Sequence, residues 1–103
     1  MGTNMLNIKI TAETAEMTVS LAGRLDTATA PKLEEALSES LEGVKVLIID
    51  MEELDYISSA GLRVLLAAQK TMNRQGEMKV VHVNDTIMEI FDVTGFSDIL
   101  TIA

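Results

Sequence analysis

Hydroxyl and carboxylate side chains are the groups in this sequence able to do chemistry, and two hydroxyls stand together at Ser58-Ser59, followed by Ala60-Gly61. An apolar run, residues 44–49, leads up to them, and a helical pattern of leucines leads away. Ser is a favoured helix N-cap, and replacing such a cap by Ala costs ~1 kcal/mol, so a helix start explains one of the pair. It does not explain Ala60-Gly61. Gly is a poor helix former, and minimal side chains at a first turn leave a hydroxyl accessible and let a second surface approach the backbone. A Ser there is also a sensible phosphoacceptor. The free amides and the positive end of the helix dipole favour a phosphate by about 0.3–1 kcal/mol, and the phosphate brings roughly −1.5 to −2 charge to a surface that had none. The chemistry expected at this stretch is a charge switch on a docking surface.

The other reactive side chains point to no enzyme. His82 is the only imidazole and falls in an apolar strand pattern with no second metal ligand at suitable sequence spacing, so it reads as a packed or hydrogen-bonded residue. No Gly-x-Ser-x-Gly elbow, phosphate-cradling Gly-rich loop or His-Glu-x-x-His occurs. Glu52, Glu53 and Asp55 crowd one segment and read as solvated charge. Cysteine is absent, which removes thiolate nucleophiles, disulfides and Cys-based zinc sites. No cofactor and no metal are expected.

Charge narrows the partners. Eight Lys and Arg against 16 Asp and Glu give a net charge of −8 with no basic stripe, so nucleic acid is not an expected partner. An anionic membrane surface is disfavoured as well. A partner with a basic patch would suit, although an acidic solvated surface is the commoner meaning. No run reaches the ~20 apolar residues of a membrane span, no secretory pattern opens the chain, and Met1-Gly2 fails as a myristoylation motif because position 6 is Leu. The cytoplasm is the expected compartment, without direct membrane insertion.

The elements that must position Ser58-Ser59 follow from periodicity. The 103 residues, 48% apolar, suit one domain over 1–103, with an aliphatic core because there is no Trp, one Tyr and two Phe. Residues 6–11 and 17–21 alternate apolar and polar and read as an antiparallel hairpin. Asp26-Thr27-Ala28-Thr29-Ala30-Pro31 opens a helix whose stripe is Leu33, Ala36, Leu37 and Leu41, closed by Gly43. Residues 44–49 read as a strand buried on both faces, and 50–56 as a connecting segment. A helix follows Ser58-Ser59 and stops at Gly76. Residues 78–83 are the next strand, Asn84 caps a short helix over 86–93, and 99–102 is a last edge strand. The order is ββαβαβαβ. That gives an α/β fold with a mixed, mostly parallel sheet, an N-terminal hairpin and helices packed on the sheet.

Two motifs within this pattern resemble a known family. Asp55-Tyr56-Ile57-Ser58-Ser59-Ala60-Gly61-Leu62 is similar to the phosphorylation-site signature of the STAS domain family of bacterial anti-sigma factor antagonists. Gly23-Arg24-Leu25-Asp26-x-x-Thr29-Ala30-x-x-Leu33 resembles that family's pattern after the second strand. The element order agrees over essentially the whole chain.

The resemblance implies partner switching. An unphosphorylated antagonist binds an anti-sigma factor that is also a serine kinase. Phosphorylation by that kinase ends the binding, and a separate serine phosphatase restores it. Carried over by position, Ser59 is the phosphoacceptor, with Ser58 the second choice. Asp26, Thr29, Ser58, Ser59, Ala60, Gly61, Leu62 and Arg63 are the expected partner-binding residues, on a chain that is a monomer when free. Ser59 is also the expected helix cap, and Asp26 its acidic neighbour.

The chain departs from the family pattern twice. Ser58 stands where the family usually has Asp, and Arg63 where many members have Gly. Arg63 is either a specificity determinant for an acidic partner or an ordinary surface residue. Two other readings of the chain stay open. One is a STAS-like subunit of a lipid-transport or sensory complex, with Ser59 only a cap. The other is a small-ligand or nucleotide-binding domain using the carboxyl ends of its strands, where residues 50–59 lie.

Overall fold

Strict alternation builds the first two strands of the computed structural model, which describes residues 5–103; the Met1-Gly2 reading lies outside the described residues. Strand β1 (Leu6–Glu13) pairs antiparallel with β2 (Glu16–Leu25) from Glu13↔Glu16 back to Leu6↔Gly23. The connecting turn is two residues long, with Thr14 at φ 52°. Such positive φ values fit the right-handed twist of a tight hairpin.

Strand β3 (Val46–Ile57) lies parallel to β2, and β4 (Glu77–Val81) parallel to β3, giving the sheet order β1-β2-β3-β4. Residues 50–56 are therefore strand, not a connecting segment. The register slips between Ser20 and Ala22 and again between Gly23 and Arg24, so 12 residues of β3 run beside 10 of β2. Each slip inserts a residue into β3. Its core-facing residues Met51, Leu54 and Ile57 consequently recur every three positions, which hides the strand period. The acids Glu52, Glu53 and Asp55 take the exposed positions between them.

Three helices follow the connections: α1 (Ala30–Ser40), α2 (Ser59–Gln75) and α3 (Asp85–Thr94). None is long and apolar enough to cross a membrane. Helix α1 begins at Ala30 rather than Asp26, because residues 26–29 are taken up in a turn in which Asp26 O accepts from the amides of Thr29 and Ala30. Asn84 caps α3 as expected, its Oδ1 accepting from Ile87 N at 2.8 Å. Its Nδ2 donates to Leu54 O at 2.9 Å, which fastens α3 beside β3.

The chain order is ββαβαβα. The expected strand over 99–102 is a single bridge, Val80↔Ile102. A 3₁₀ turn at Phe96–Asp98 and the bond from Leu100 N to Phe96 O consume those residues before they can line up with β4.

Helices cover one face of the sheet. Leu21, Leu47, Ile49, Met51 and Val80 are buried in one core with Leu33, Leu65, Met72 and Phe91. Ser20, Ile48, Asp50, Lys79 and Val81 on the other face are half-buried. The molecule is 19 Å thick against 35 × 32 Å, the depth of one sheet and one helix layer. This corrects the reading of residues 44–49 as buried on both faces. Its cause is the strand order. Right-handed crossovers that always advance in one direction keep every helix on the same side. A ligand crevice of the doubly wound kind forms where the strand order reverses, and this sheet has no reversal.

Candidate functional site

The last register pair of the parallel strands is Leu25↔Ile57, and the amide of Ser58 donates to Leu25 O at 2.9 Å. Two turns thus leave the sheet side by side: one through Asp26 into α1, the other through Ser58 into α2. That contact brings the two sequence motifs together.

Asp26 is committed to its own turn. Its Oδ1 accepts from Ala28 N and Thr29 N at 3.0 Å each, with the Thr29 hydroxyl at 3.1 Å. Desolvation pushes its pKa up, but the bonds from Thr29 and Ala28 and the charge of Arg24 outweigh it, and the carboxyl titrates below its ordinary value. Thr29 is buried; its hydroxyl donates to Arg24 O at 2.8 Å and accepts from Asp26 N at 2.9 Å. Sequence reasoning passed over Arg24. Its guanidinium lies 4.3 Å from the centroid of the Tyr56 ring, its cross-strand partner, and its Nε is 3.6 Å from Asp26 Oδ2. The signal for this pairing was the β2–β3 register, which the two slips concealed.

The two serines have different tasks. Ser58, not Ser59, is the cap of α2: it is extended (φ −99°, ψ 176°), and its Oγ accepts from Gly61 N at 3.3 Å. The phase of the helix decides this. Gly61 packs inward, and a Cβ there would stand 2.7 Å from Leu25 Cγ and 2.9 Å from Ile57 Cγ1. Gly61 is therefore the third helical residue, and a cap bonds the second or third amide. The small residue serves packing within the chain, not the approach of a second surface. Ser59, the first residue of α2, is exposed, and its hydroxyl has no hydrogen-bond partner among the described residues.

Of the expected partner-binding residues, Thr29, Gly61 and Leu62 are buried and form scaffold. Asp26, Ser58 and Ala60 are half-buried, and Ser59 and Arg63 exposed. Ala60 and Arg63 line a groove of about 220 Å³ between α1 and α2, whose opposite wall carries Thr27, Pro31 and Glu34.

This arrangement has known counterparts. The sequence model of the STAS domain matches residues 6–103. The chain belongs to the STAS domain family. This STAS domain is 39% identical over 93 residues to the anti-sigma-B factor antagonist of Listeria monocytogenes, covering 87% of this chain and 81% of the relative. Its fold is similar to that of an anti-sigma factor antagonist from Mycobacterium paratuberculosis, with TM-score 0.87 and 22% identity over 96% of this chain and 86% of that one. It also resembles the Bacillus cell fate determinant SpoIIAA in its phosphorylated form, with TM-score 0.74 and 17% identity over 94% and 91% of the two chains.

A second polar group of this STAS domain lies at the carboxyl end of β4. His82 is not inside a strand. It follows β4 with φ 59°, outside the β region, is exposed, and its Nδ1 lies 3.0 Å from Asp50 Oδ1. Asp50, Glu52 and His82 bring one potential ligand atom each within 4.8 Å of one another. The fold thus supplies the neighbours that sequence spacing did not show. The hydrogen bond and charge of Asp50 raise the pKa of His82 despite some desolvation. Desolvation raises that of Asp50, but the bonds from His82 and the Glu52 amide prevail and lower it. Asp50 and Glu52 also border a depression of about 410 Å³ on the open face of the sheet.

Proposed function

We propose that this STAS domain is an anti-sigma factor antagonist, a non-catalytic cytoplasmic module that captures an anti-sigma factor while Ser59 is unmodified and releases it once Ser59 is phosphorylated. The observation that carries the reading is the division of labour between the serines. Ser58 holds the helix, which leaves Ser59 with a free, exposed hydroxyl beside the groove between α1 and α2. A modification at Ser59 therefore changes the surface without removing the cap. The names of the relatives support the partner class.

The anti-sigma factor acts as the serine kinase. Ser59 Oγ attacks the γ-phosphorus of ATP, the new O–P bond replaces the bond to ADP, and the hydroxyl proton passes to a base of the kinase. The added charge then lies against the partner's face, where an unpaired anion is costly to desolvate. A serine phosphatase hydrolyses the ester, returning the hydroxyl and inorganic phosphate. Asp26, Ser58, Ser59, Ala60 and Arg63 form the docking surface.

Incubation with the serine-kinase anti-sigma factor of the same organism and ATP, followed by mass spectrometry of peptides, is expected to place phosphate on Ser59. Absence of phosphate from both serines, with the kinase active on another antagonist, would sink the switch.

A further inference from the structure

Arg63 stands four residues after Ser59 on the same helix face. In an α-helix the Cα–Cβ bonds tilt toward the N-terminus, so a long side chain at i+4 reaches back over residue i. An acid at i with a cation at i+4 is the favourable orientation of such a pair. Here the position of the acid is taken by a hydroxyl.

The composition of α2 isolates this cation. From Ser59 to Gln75 the helix carries Arg63, Lys70 and Arg74 and not one Asp or Glu, in a chain of net charge −8. Among the described residues the ion pairs are Arg24–Asp26 and Asp50–His82, so Arg63 is bound to no carboxylate. Arg24, the other guanidinium at this end of the sheet, is held over Tyr56 and beside Asp26. The charged groups facing Arg63 are Glu34 across the groove and, once modified, Ser59.

We propose that Arg63 clamps the phosphate on Ser59, so that phosphorylation completes an i, i+4 ion pair on α2. The proposal rests on the reading of Ser59 as the phosphoacceptor. A guanidinium presents paired donors to phosphate oxygens and forms charge-assisted bonds with them. Phosphorylation then alters the surface twice: it adds an anion at Ser59 and turns the Arg63 cation away from the groove and any partner seated there.

The test uses the full chain with phosphoserine encoded at position 59, in the wild type and in the R63Q and R74Q variants, each titrated by phosphorus NMR. The second ionisation of the phosphate is expected lower in the wild type than in R63Q by about 0.2–0.4 of a pH unit, because that step adds one unit of negative charge beside the guanidinium. R74Q removes the same charge from the far end of the helix and is expected to titrate like the wild type. Coincident curves for wild type and R63Q overturn the clamp, as does a shift in R74Q equal to that in R63Q. Encoding the phosphoserine makes the outcome independent of any kinase, so failure of the clamp is distinguishable from failure of Ser59 as a substrate.

Discussion

Where β2 and β3 end together, at Leu25 and Ile57, the side-chain hydrogen bonds of the two turns span no more than five residues of sequence. Where β4 ends beside β3, the Asp50–His82 pair joins residues 32 apart. The first cluster is built around the buried Thr29 and bonds within its own turns; the second joins the half-buried Asp50 to the exposed, titratable His82. Short-range bonds hold the Asp26 turn as long as its carboxyl is ionised, which its lowered pKa extends below the usual range, and the neutral Ser58 cap does not titrate; together they leave one hydroxyl over. The long-range pair depends on protonation and is screened by water and salt. The first kind of construction suits a surface whose backbone keeps its course when a charge is added to one side chain.

The contrast can be broken most severely at Gly61. Gly61→Val drives a branched side chain into Leu25 and Ile57, and overpacking of this kind costs about 1–3 kcal/mol. The urea midpoint is expected to fall accordingly, and an unchanged midpoint would mean that α2 does not sit on the strand ends as described.

Ser59→Asp tests the free hydroxyl. The melting temperature is expected to hold, since Ser58 remains the cap, while affinity for the anti-sigma partner drops at least tenfold, about 1.4 kcal/mol. Wild-type affinity in a calorimetric titration would return Ser59 to an ordinary surface residue. Ser58→Ala reverses the pattern: a loss of ~1 kcal/mol in stability, with phosphorylation of Ser59 retained.

The smallest effect lies at the other cluster. The pKa of His82 is raised above 6.5, so its contribution is full below that value and lost as pH rises through the raised one. The pKa of Asp50 is lowered below 3.8, so its contribution is present above that value and lost as pH falls through the lowered one. His82→Gln is therefore expected to destabilise slightly near about pH 5 and not near about pH 9. A deficit that grew with pH would reverse the assignment.

What the sequence disclosed divides along the same line. Ser58-Ser59-Ala60-Gly61, the Asn84 cap and the hairpin are features of consecutive residues, and each appears where its pattern places it. Within the serine pair the cap of α2 was placed one residue late, because either serine satisfies the composition rule. Only the inward contact of Gly61 with Leu25 and Ile57 sets the phase. The strand through residues 50–56 was illegible because two inserted residues replace a period of two by one of three. The Arg24–Tyr56 and Asp50–His82 pairs rest on registers that no local pattern encodes. The open face was hidden as well, since an apolar run such as Val46–Ile49 does not record on which side the helices lie.

Beyond Asp50, β3 has β2 on one side and, among the described residues, no strand on the other. A lone edge with free amides and carbonyls is a template for a strand from another molecule, the first step toward aggregation. This stretch carries Glu52, Glu53 and Asp55, is bent at two slips, and has the Glu52 amide bonded to Asp50 Oδ1 and the Leu54 carbonyl covered by Asn84. Exposed acids on such an edge act as gatekeepers against pairing. Their like charges repel a second copy of the same strand, so the open end of β3 stays a poor template for pairing.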